Sequence, residues 1–268
     1  MNELADIALA DIGLDGLAIS GILIAVALVL SVVRRLGLEK DLLVAAARAL
    51  VQLLIVGFAL RIVVDGDDPL IFTWIWVVLM VVVAAWTVRR RAPEVPNVIP
   101  LALLSFAAAA AVTLGVLFGL RVFEPTGRAI VPIAGMMVGN SMTATVVVSR
   151  RLVAEVRDYR DLIEARLALG LSSHDAFAPH LREALRTGLV PQIETTKTVG
   201  LIALPGAMTG LILAGVEPIE AVRVQVAVMY LVLGSVSTTA AVMALGLTRR
   251  LFTKDHRLVL VEKAASQP

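Results

Sequence analysis

Long apolar runs alternate with short polar connections along the chain. Each run is close to the ~20 residues that a helix needs to cross a hydrocarbon core of about 30 Å. The runs predict seven transmembrane helices, over residues 17–33, 42–64, 70–88, 98–120, 129–148, 199–216 and 221–247. The pattern therefore predicts an all-α, polytopic membrane protein in which residues 1–268 form a single transmembrane domain.

The charges of the loops between the apolar runs predict the orientation of the chain in the membrane. Arginine and lysine are concentrated after the first, third, fifth and seventh runs, whereas the N-terminus and the remaining connections are poor in them. Since basic loops stay on the cytoplasmic side, the alternation predicts an N-terminus outside and a C-terminus inside the cell. It also predicts a cytoplasmic loop over 150–198 and a cytoplasmic tail over 248–268. The acidic start, with Glu3, Asp6, Asp11 and Asp15, favours a retained anchor over a signal peptide.

Composition narrows the possible functions. The chain is 59% hydrophobic and 17% charged, and it contains no cysteine, which excludes disulfides and thiolate metal sites. Its three histidines are scattered, which argues against a zinc cluster. The basic clusters lie beside apolar runs and are interpreted as topology signals, so nucleic acid is not an expected partner. No G-x-x-x-x-G-K-[ST] loop occurs, so any ATP would have to bind to another chain.

Few charged residues fall inside the predicted spans. Asp and Glu are absent from the span centres, which argues against a proton-coupled carrier with a carboxylate relay. Arg48 and Gln52 lie four residues apart in "AARALVQLL", hence on one helical face. Two interpretations remain open for them: an arginine that reaches to the membrane surface as an anchor, or a polar pair facing the bundle interior or the cytoplasmic loop.

The fifth run is unusually rich in small and polar residues. Met136, Asn140 and Thr143 share one helical face, while Met137 and Ser141 lie on the adjacent one. This set, together with Met208 in the sixth run, is a candidate for a substrate pathway or a subunit interface. No residue in it is a convincing metal ligand, so the metal ligands stay unknown. Close helix packing is expected at two GxxxG motifs, Gly135 with Gly139 and Gly206 with Gly210.

The long cytoplasmic loop has a helix–turn–helix pattern. An amphipathic helical stretch ends at Gly170, and Ser172 with Asp175 predicts a capping box that starts a second helix. Phe177, Leu181 and Leu185 then form an apolar stripe. The loop is either a docking element for a partner or a solvated linker.

Three segments together resemble the Fet-type permeases, the membrane subunits of ABC transporters associated with bacterial iron export and with plant aluminium tolerance. They are "ARALVQLLIVGFAL", "IVPIAGMMVGNSMTA" and "TKTVGLIALPGAMTGLILAGVEPIEAVRVQ". The resemblance implies a non-enzymatic permease in the inner or plasma membrane, acting as a homodimer in lipid. It also implies a separate ABC ATPase that carries ATP and magnesium, no cofactor on this chain, and a role in iron export and metal homeostasis.

Within this resemblance, "EARLALGLSSHDAF" is similar to the EAA loop that docks ABC permeases onto their ATPases. The implied coupling residues are Glu164, Ala165, Gly170 and Phe177. The segment departs from that pattern at Arg166, where a second alanine is usual, and at Leu181–Arg182, where Leu-Pro is common. The alternatives are an ABC permease for an organic cargo, such as a nucleotide sugar or lipid-linked molecule, and a membrane scaffold or sensor without transport.

Overall fold

The computed structural model describes residues 14–65, 69–202, 204–253 and 255–259. Within these ranges the chain is helical and has no extended strand, which confirms the predicted all-α class; an isolated β-bridge joins Phe252 to Leu258. The acidic residues Glu3, Asp6 and Asp11 and the tail after 259 lie outside the described residues. The helices are α1 (Leu14–Val33), α2 (Glu39–Asp65), α3 (Pro69–Arg91), α4 (Val98–Gly119), α5 (Gly127–Asp158), α6 (Arg160–Ala168), α7 (Ser173–Thr198), α8 (Gly206–Leu213) and α9 (Pro218–Leu251).

Five described helices are long and apolar enough to cross a membrane. Their apolar stretches correspond to the second, third, fourth, fifth and seventh predicted runs: Glu39–Phe58, Leu70–Arg91, Val98–Gly119, Gly127–Asp158 and Pro218–Leu251. The first run forms α1, whose apolar part, Ile19–Val33, is shorter. The chain is therefore a multi-pass membrane protein, while its orientation stays a prediction.

The sixth predicted span, 199–216, is wrong as a single helix. Only Gly206–Leu213 is helical there, and eight residues are about 12 Å long, well short of a hydrocarbon core. Gly200 adopts a left-handed backbone with φ of 85°, and Pro205, at the N-cap of α8, has no amide hydrogen for a continuing helix. These two residues interrupt a sequence whose average hydropathy resembles that of a span.

The core lies where α4, α5 and α9 meet, flanked by α3 and α7. Its largest side chains include Phe106, Met137, Met243 and Leu247, all fully buried. The hairpin of α1 and α2 lies outside this core, and none of the apolar window of α2 is buried. The single chain thus has a compact five-helix centre and a peripheral hairpin with an exposed apolar surface.

Buried hydroxyls are common in this core, and most are hydrogen-bonded to their own helix. Thr113, Thr145, Ser149 and Thr239 each donate to the carbonyl four residues earlier, at 2.6–2.7 Å. Such bonds satisfy the hydroxyl without water or a second helix. The polar content of these helices is therefore compatible with a dry core.

Two glycines outside the predicted motifs allow the closest helix contacts. A Cβ added at Gly188 of α7 would collide with Val148 Cγ2 on α5, and one at Gly246 of α9 with Leu101 Cδ1 on α4. By contrast, Gly139, Gly206 and Gly210 have open space, and Gly135 has an ordinary distance of 3.7 Å to Met80 Cε. The GxxxG glycines therefore do not mediate tight packing within the described part of this chain.

We predict that Gly188→Ala destabilises the protein by about 1–3 kcal/mol, because the stiff Val148 side chain blocks the added methyl group. Thermal unfolding of the purified protein in detergent measures the effect. Gly57→Ala is the matched control, since its Cβ would meet nothing within 4 Å and alanine favours the helix. Equal melting temperatures for Gly188→Ala and the unsubstituted protein would contradict the close contact.

Candidate functional site

The first candidate site is the loop over 150–198, predicted to be cytoplasmic, which begins as a continuation of α5. This helix extends beyond the predicted span end at 148 to Asp158, and after Tyr159 the chain continues as α6. On α6, the Glu164 carboxylate accepts a hydrogen bond from Arg160 Nε at 2.8 Å, and both side chains are exposed. Ala165 is exposed as well. The predicted coupling residues of α6 thus lie on an accessible surface.

The turn after α6 is built by Gly170. This residue has φ of 90°, a left-handed conformation that glycine adopts without steric cost, and its amide donates to Leu167 O at 2.9 Å. The turn projects its two flanking leucines outward, so that Leu169 is 81% and Leu171 40% exposed. An apolar tip of this kind, on a loop otherwise rich in charge, is suited to binding another protein.

The predicted capping box at the start of α7 is confirmed. Asp175 N donates to Ser172 Oγ at 3.2 Å, and the Ser172 hydroxyl donates to Asp175 Oδ2 at 2.7 Å. The Ser172 hydroxyl, with a smaller effect of His174, holds the pKa of the Asp175 carboxyl below its usual value. The carboxylate is therefore charged at neutral pH and fixes the direction in which α7 leaves the turn.

A buried carboxylate ties the loop to the membrane helices. Glu155 of α5 is 3% exposed, and its two oxygens lie 2.6 Å from Arg151 Nη2 and 2.6 Å from His180 Nδ1 of α7. Arg166 of α6 donates to Ala176 O of α7 at 3.1 Å and lies 3.5 Å from His180 Nε2. We name Arg151, Glu155, Arg166 and His180 the loop anchor, because they join α5, α6 and α7.

Phe177 supports this anchor from the apolar side. It is fully buried, with its ring stacked on His180 at 5.7 Å and edge-on to Phe252 at 5.5 Å, between ring centres. Unlike Glu164 and Ala165, it has no accessible surface for a partner. Its place in the coupling element is therefore structural: it holds the start of α7 against the end of α9.

The second candidate site is the polar part of α5. The predicted face of Met136, Asn140 and Thr143 is at least partly exposed on the chain surface, and Asn140 Nδ2 donates to Met136 O at 2.8 Å. Met137 and Ser141 instead point into the core. Thr113 Oγ1 of α4 lies 3.1 Å from Met137 Sδ, while the Ser141 hydroxyl has no partner among the described residues.

A cleft of about 190 Å³ lies beside this face, between α5 and the end of α7. From α5 it is lined by Gly139, Asn140 and Thr143, and from α7 by Gln192 and Thr195. Sequence reasoning missed the α7 side, because it assigned everything up to residue 198 to the cytoplasmic loop. The usable signal was the amphipathic helical pattern after Ser172, but Gly188 and Pro191 obscure in the sequence its continuation to Thr198.

Glu194 lies on the segment of α7 that packs beside Asn140 and Thr143. The Glu194 carboxylate is 2.8 Å from Lys197 Nζ, and these side chains are 58% and 63% exposed. Because Glu194 is outside the seven predicted spans, the expectation that their centres lack Asp and Glu stays a prediction.

The remaining predicted residues lie elsewhere. Arg48 and Gln52 are exposed on α2 and line a cleft of about 540 Å³ with Trp86 and Arg90 of α3. Met208 is half-buried on α8. Within the described ranges, no group of three or more histidine, aspartate or glutamate side chains could hold a metal ion.

Comparison with known proteins places these features in a family. A model described as "Uncharacterised protein family (UPF0014)" matches residues 14–252. UPF0014 membrane protein STAR2 of rice is 43% identical over 223 residues, which cover 82% of this chain and 77% of the relative. No solved structure matches the chain significantly.

Two further relatives align over most of their lengths. One is "Probable iron export permease protein FetB" of Escherichia coli, 32% identical over 240 residues, covering 90% of this chain and 92% of the relative. The other is "Protein ALUMINUM SENSITIVE 3" of Arabidopsis thaliana, 35% identical over 239 residues, covering 88% and 86%. The matched part of this chain includes both candidate sites.

We predict that Glu155→Gln loosens the loop anchor and lowers the free energy of unfolding by about 1–3 kcal/mol, since Arg151 loses its carboxylate partner and His180 a charged acceptor. Thermal unfolding, and faster tryptic cleavage at Arg160 and Arg166, would report the change. Glu164→Gln is the control, because its exposed pair with Arg160 contributes little. Indistinguishable cleavage of the two variants would contradict the anchoring role.

Proposed function

Because the chain belongs to the UPF0014 family of membrane proteins, we propose that it is the permease subunit of an ATP-driven transporter that exports iron or a related metal. Two relatives carry names that refer to metals, iron in Escherichia coli and aluminium in Arabidopsis thaliana. These names support a metal cargo, and the word permease in one of them supports transport.

The observation that carries the ATPase part of the proposal is the apolar tip of the cytoplasmic loop. Leu169 and Leu171 extend from a tight glycine turn, where nothing else in the described chain covers them. In an ABC transporter, a short permease helix of this kind inserts into a groove of the ATPase. ATP and magnesium then bind to the partner, in keeping with the lack of a phosphate-binding loop in this sequence.

Transmission of movement requires that the tip be rigidly joined to the spans. The loop anchor supplies that connection, because the Glu155 carboxylate on α5 binds His180 on α7 while Arg166 of α6 bonds α7. Closure of two ATPases against each other would therefore displace α6, the start of α7 and the end of α5 together. Two permease copies are part of this proposal, since paired ATPases need paired docking loops.

We expect Leu169→Glu to abolish co-purification with the partner ATPase, because a buried charge would replace the exposed leucine in the groove. Leu36→Glu is the matched control: Leu36 is 54% exposed in the connection between α1 and α2, on the predicted cytoplasmic side but away from the tip. Pull-down of the ATPase with a tagged permease gives the readout. Full retention of the ATPase by Leu169→Glu would contradict docking at this turn.

For the cargo, we expect iron to stimulate ATP hydrolysis by the reconstituted permease–ATPase pair, and deletion of the permease to raise cellular iron. A pair with an ATPase that cannot hydrolyse ATP is the control for both measurements. Stimulation by an organic compound in place of any metal would favour the organic-cargo alternative. A permease that never binds an ATPase would favour a scaffold or sensor.

A further inference from the structure

The last part of α7 is strongly polar. Of the seven residues from Gln192 to Thr198, only Ile193 is apolar, and we name this segment the polar run. Three threonine hydroxyls in it donate to backbone carbonyls of α7 at 2.8–3.2 Å. The charged residues Glu194 and Lys197 pair with each other. The polar run is therefore helical, and its threonine hydroxyls and charged groups have hydrogen-bond or ion-pair partners within α7. Its outer surface remains accessible.

Contacts between α5 and α7 fix the position of this run along the length of α5. The helices run antiparallel: His180 meets Glu155, Gly188 meets Val148, and the segment containing Gln192 lines a cleft with Asn140. The polar run thus lies about five turns along α7 from its cytoplasmic start, beside the middle of α5.

The height of α5 follows in turn from α4. The Met137 sulfur lies 3.1 Å from the hydroxyl of Thr113, which is inside α4. Helix α4 has 22 residues, about 33 Å, which matches a hydrocarbon core. Since Met137 is within one turn of Asn140, the polar run is level with the interior of the membrane. A charged, accessible helix surface occurs at a depth where lipid is the default surrounding.

Lipid contact at this surface is energetically excluded. Exposing a carboxylate or ammonium group to the bilayer centre costs several kcal/mol, and such groups accordingly face protein or water-filled cavities. The Glu194–Lys197 pair is more than half exposed in the single chain. It lies on a different side of α7 from Gln192 and Thr195, which line the cleft with Asn140 and Thr143. Gly139 beside them has open space where a Cβ would be. This surface must therefore face water and be separated from lipid by a second protein surface.

We propose that the polar run is the cargo-contacting wall of a water-filled pathway enclosed by two copies of this chain, and that Glu194 is the carboxylate that binds a cationic cargo there. This inference rests on the proposed function for the identity of the cargo. It deepens that function by assigning the site and the chemical class, a metal cation held by oxygen ligands.

The chemistry of the wall suits this class. The Glu194 carboxylate supplies hard oxygen ligands of the kind that metal cations prefer. Lys197 neutralises Glu194 while the pathway is empty, and an arriving cation displaces the ammonium group from the carboxylate. A second copy doubles the carboxylates, so that one cation meets two Glu194 side chains. The discontinuity at 199–205 follows directly, as is usual where a broken helix borders a transport site.

Water access is tested with single cysteines, because the natural chain contains none. Thr195→Cys probes the wall, and Val112→Cys is the control, an exposed position of α4 that is flanked one turn away by the apolar residues Ala108 and Val116. The probe is a charged, membrane-impermeant thiol reagent, applied to the permease–ATPase complex in membranes. Modification of Thr195→Cys should be at least about ten-fold faster, since thiols in apolar surroundings remain protonated and unreactive.

Equal, slow modification of both cysteines would contradict the proposal that the polar run lines a water-filled pathway. The second copy is tested by treating Thr195→Cys with a bifunctional maleimide, which should give a covalent permease dimer. If only monomeric permease is recovered after this treatment, the proposal that two copies enclose the pathway is contradicted. Neither measurement depends on the cargo. They therefore test whether the polar run lines a water-filled pathway between two copies even if no metal stimulates the transporter.

The role of Glu194 is tested by Glu194→Gln, which keeps the shape and removes the charge. With iron as the probe, the concentration for half-maximal ATPase stimulation should rise about ten-fold or more, and Lys197→Gln should lower it by removing the competing ammonium group. Glu183→Gln, on the cytoplasmic part of the same helix, should leave it unchanged. An unaltered value for Glu194→Gln, in a complex that still contains the ATPase, would overturn the cation-binding role.

Discussion

The absence of water from the hydrocarbon core is the constraint on which this structure depends. Backbone groups at that depth must bond within the chain, so the spans are helices. Side-chain hydroxyls obey the same requirement, as Thr113 and Thr145 do by donating to carbonyls one turn earlier. Where a polar surface remains unsatisfied, as along Gln192 to Thr198, the constraint demands another protein surface or a cavity. The same rule for folding therefore points to the segment that we propose contacts the cargo.

Features fixed by neighbouring residues were predictable from the sequence. The apolar runs of α2, α3, α4, α5 and α9 cover their spans, and the Ser172–Asp175 cap and the Gly170 turn appear where expected. Each depends on a few consecutive residues or on one average property of a segment. Local chemistry determines them almost completely.

Features that depend on distant contacts were not predictable. Average hydropathy cannot distinguish a continuous span from one interrupted at Gly200 and Pro205, so 199–216 was assigned to a single helix. The glycines of the GxxxG motifs drew attention by their spacing, whereas Gly188 and Gly246 form the close contacts with Val148 and Leu101. Which glycine faces a neighbour is decided by how whole helices pack, and no short pattern records it.

One helix connects both candidate sites. The 26 residues of α7 extend from the docking turn to the polar run, and Gly188 lies between them, pressed against α5. About 22 Å separate Ser173 from Gly188, and about 15 Å separate Gly188 from Thr198. A rigid rod tilting at Gly188 moves its two ends in opposite directions, the inner end by about two-thirds as much. A pull of about 3 Å at the turn would shift Thr198 by about 2 Å the other way, far enough to break one hydrogen bond and form another. In mechanical terms, α7 is a first-class lever with its fulcrum at a glycine.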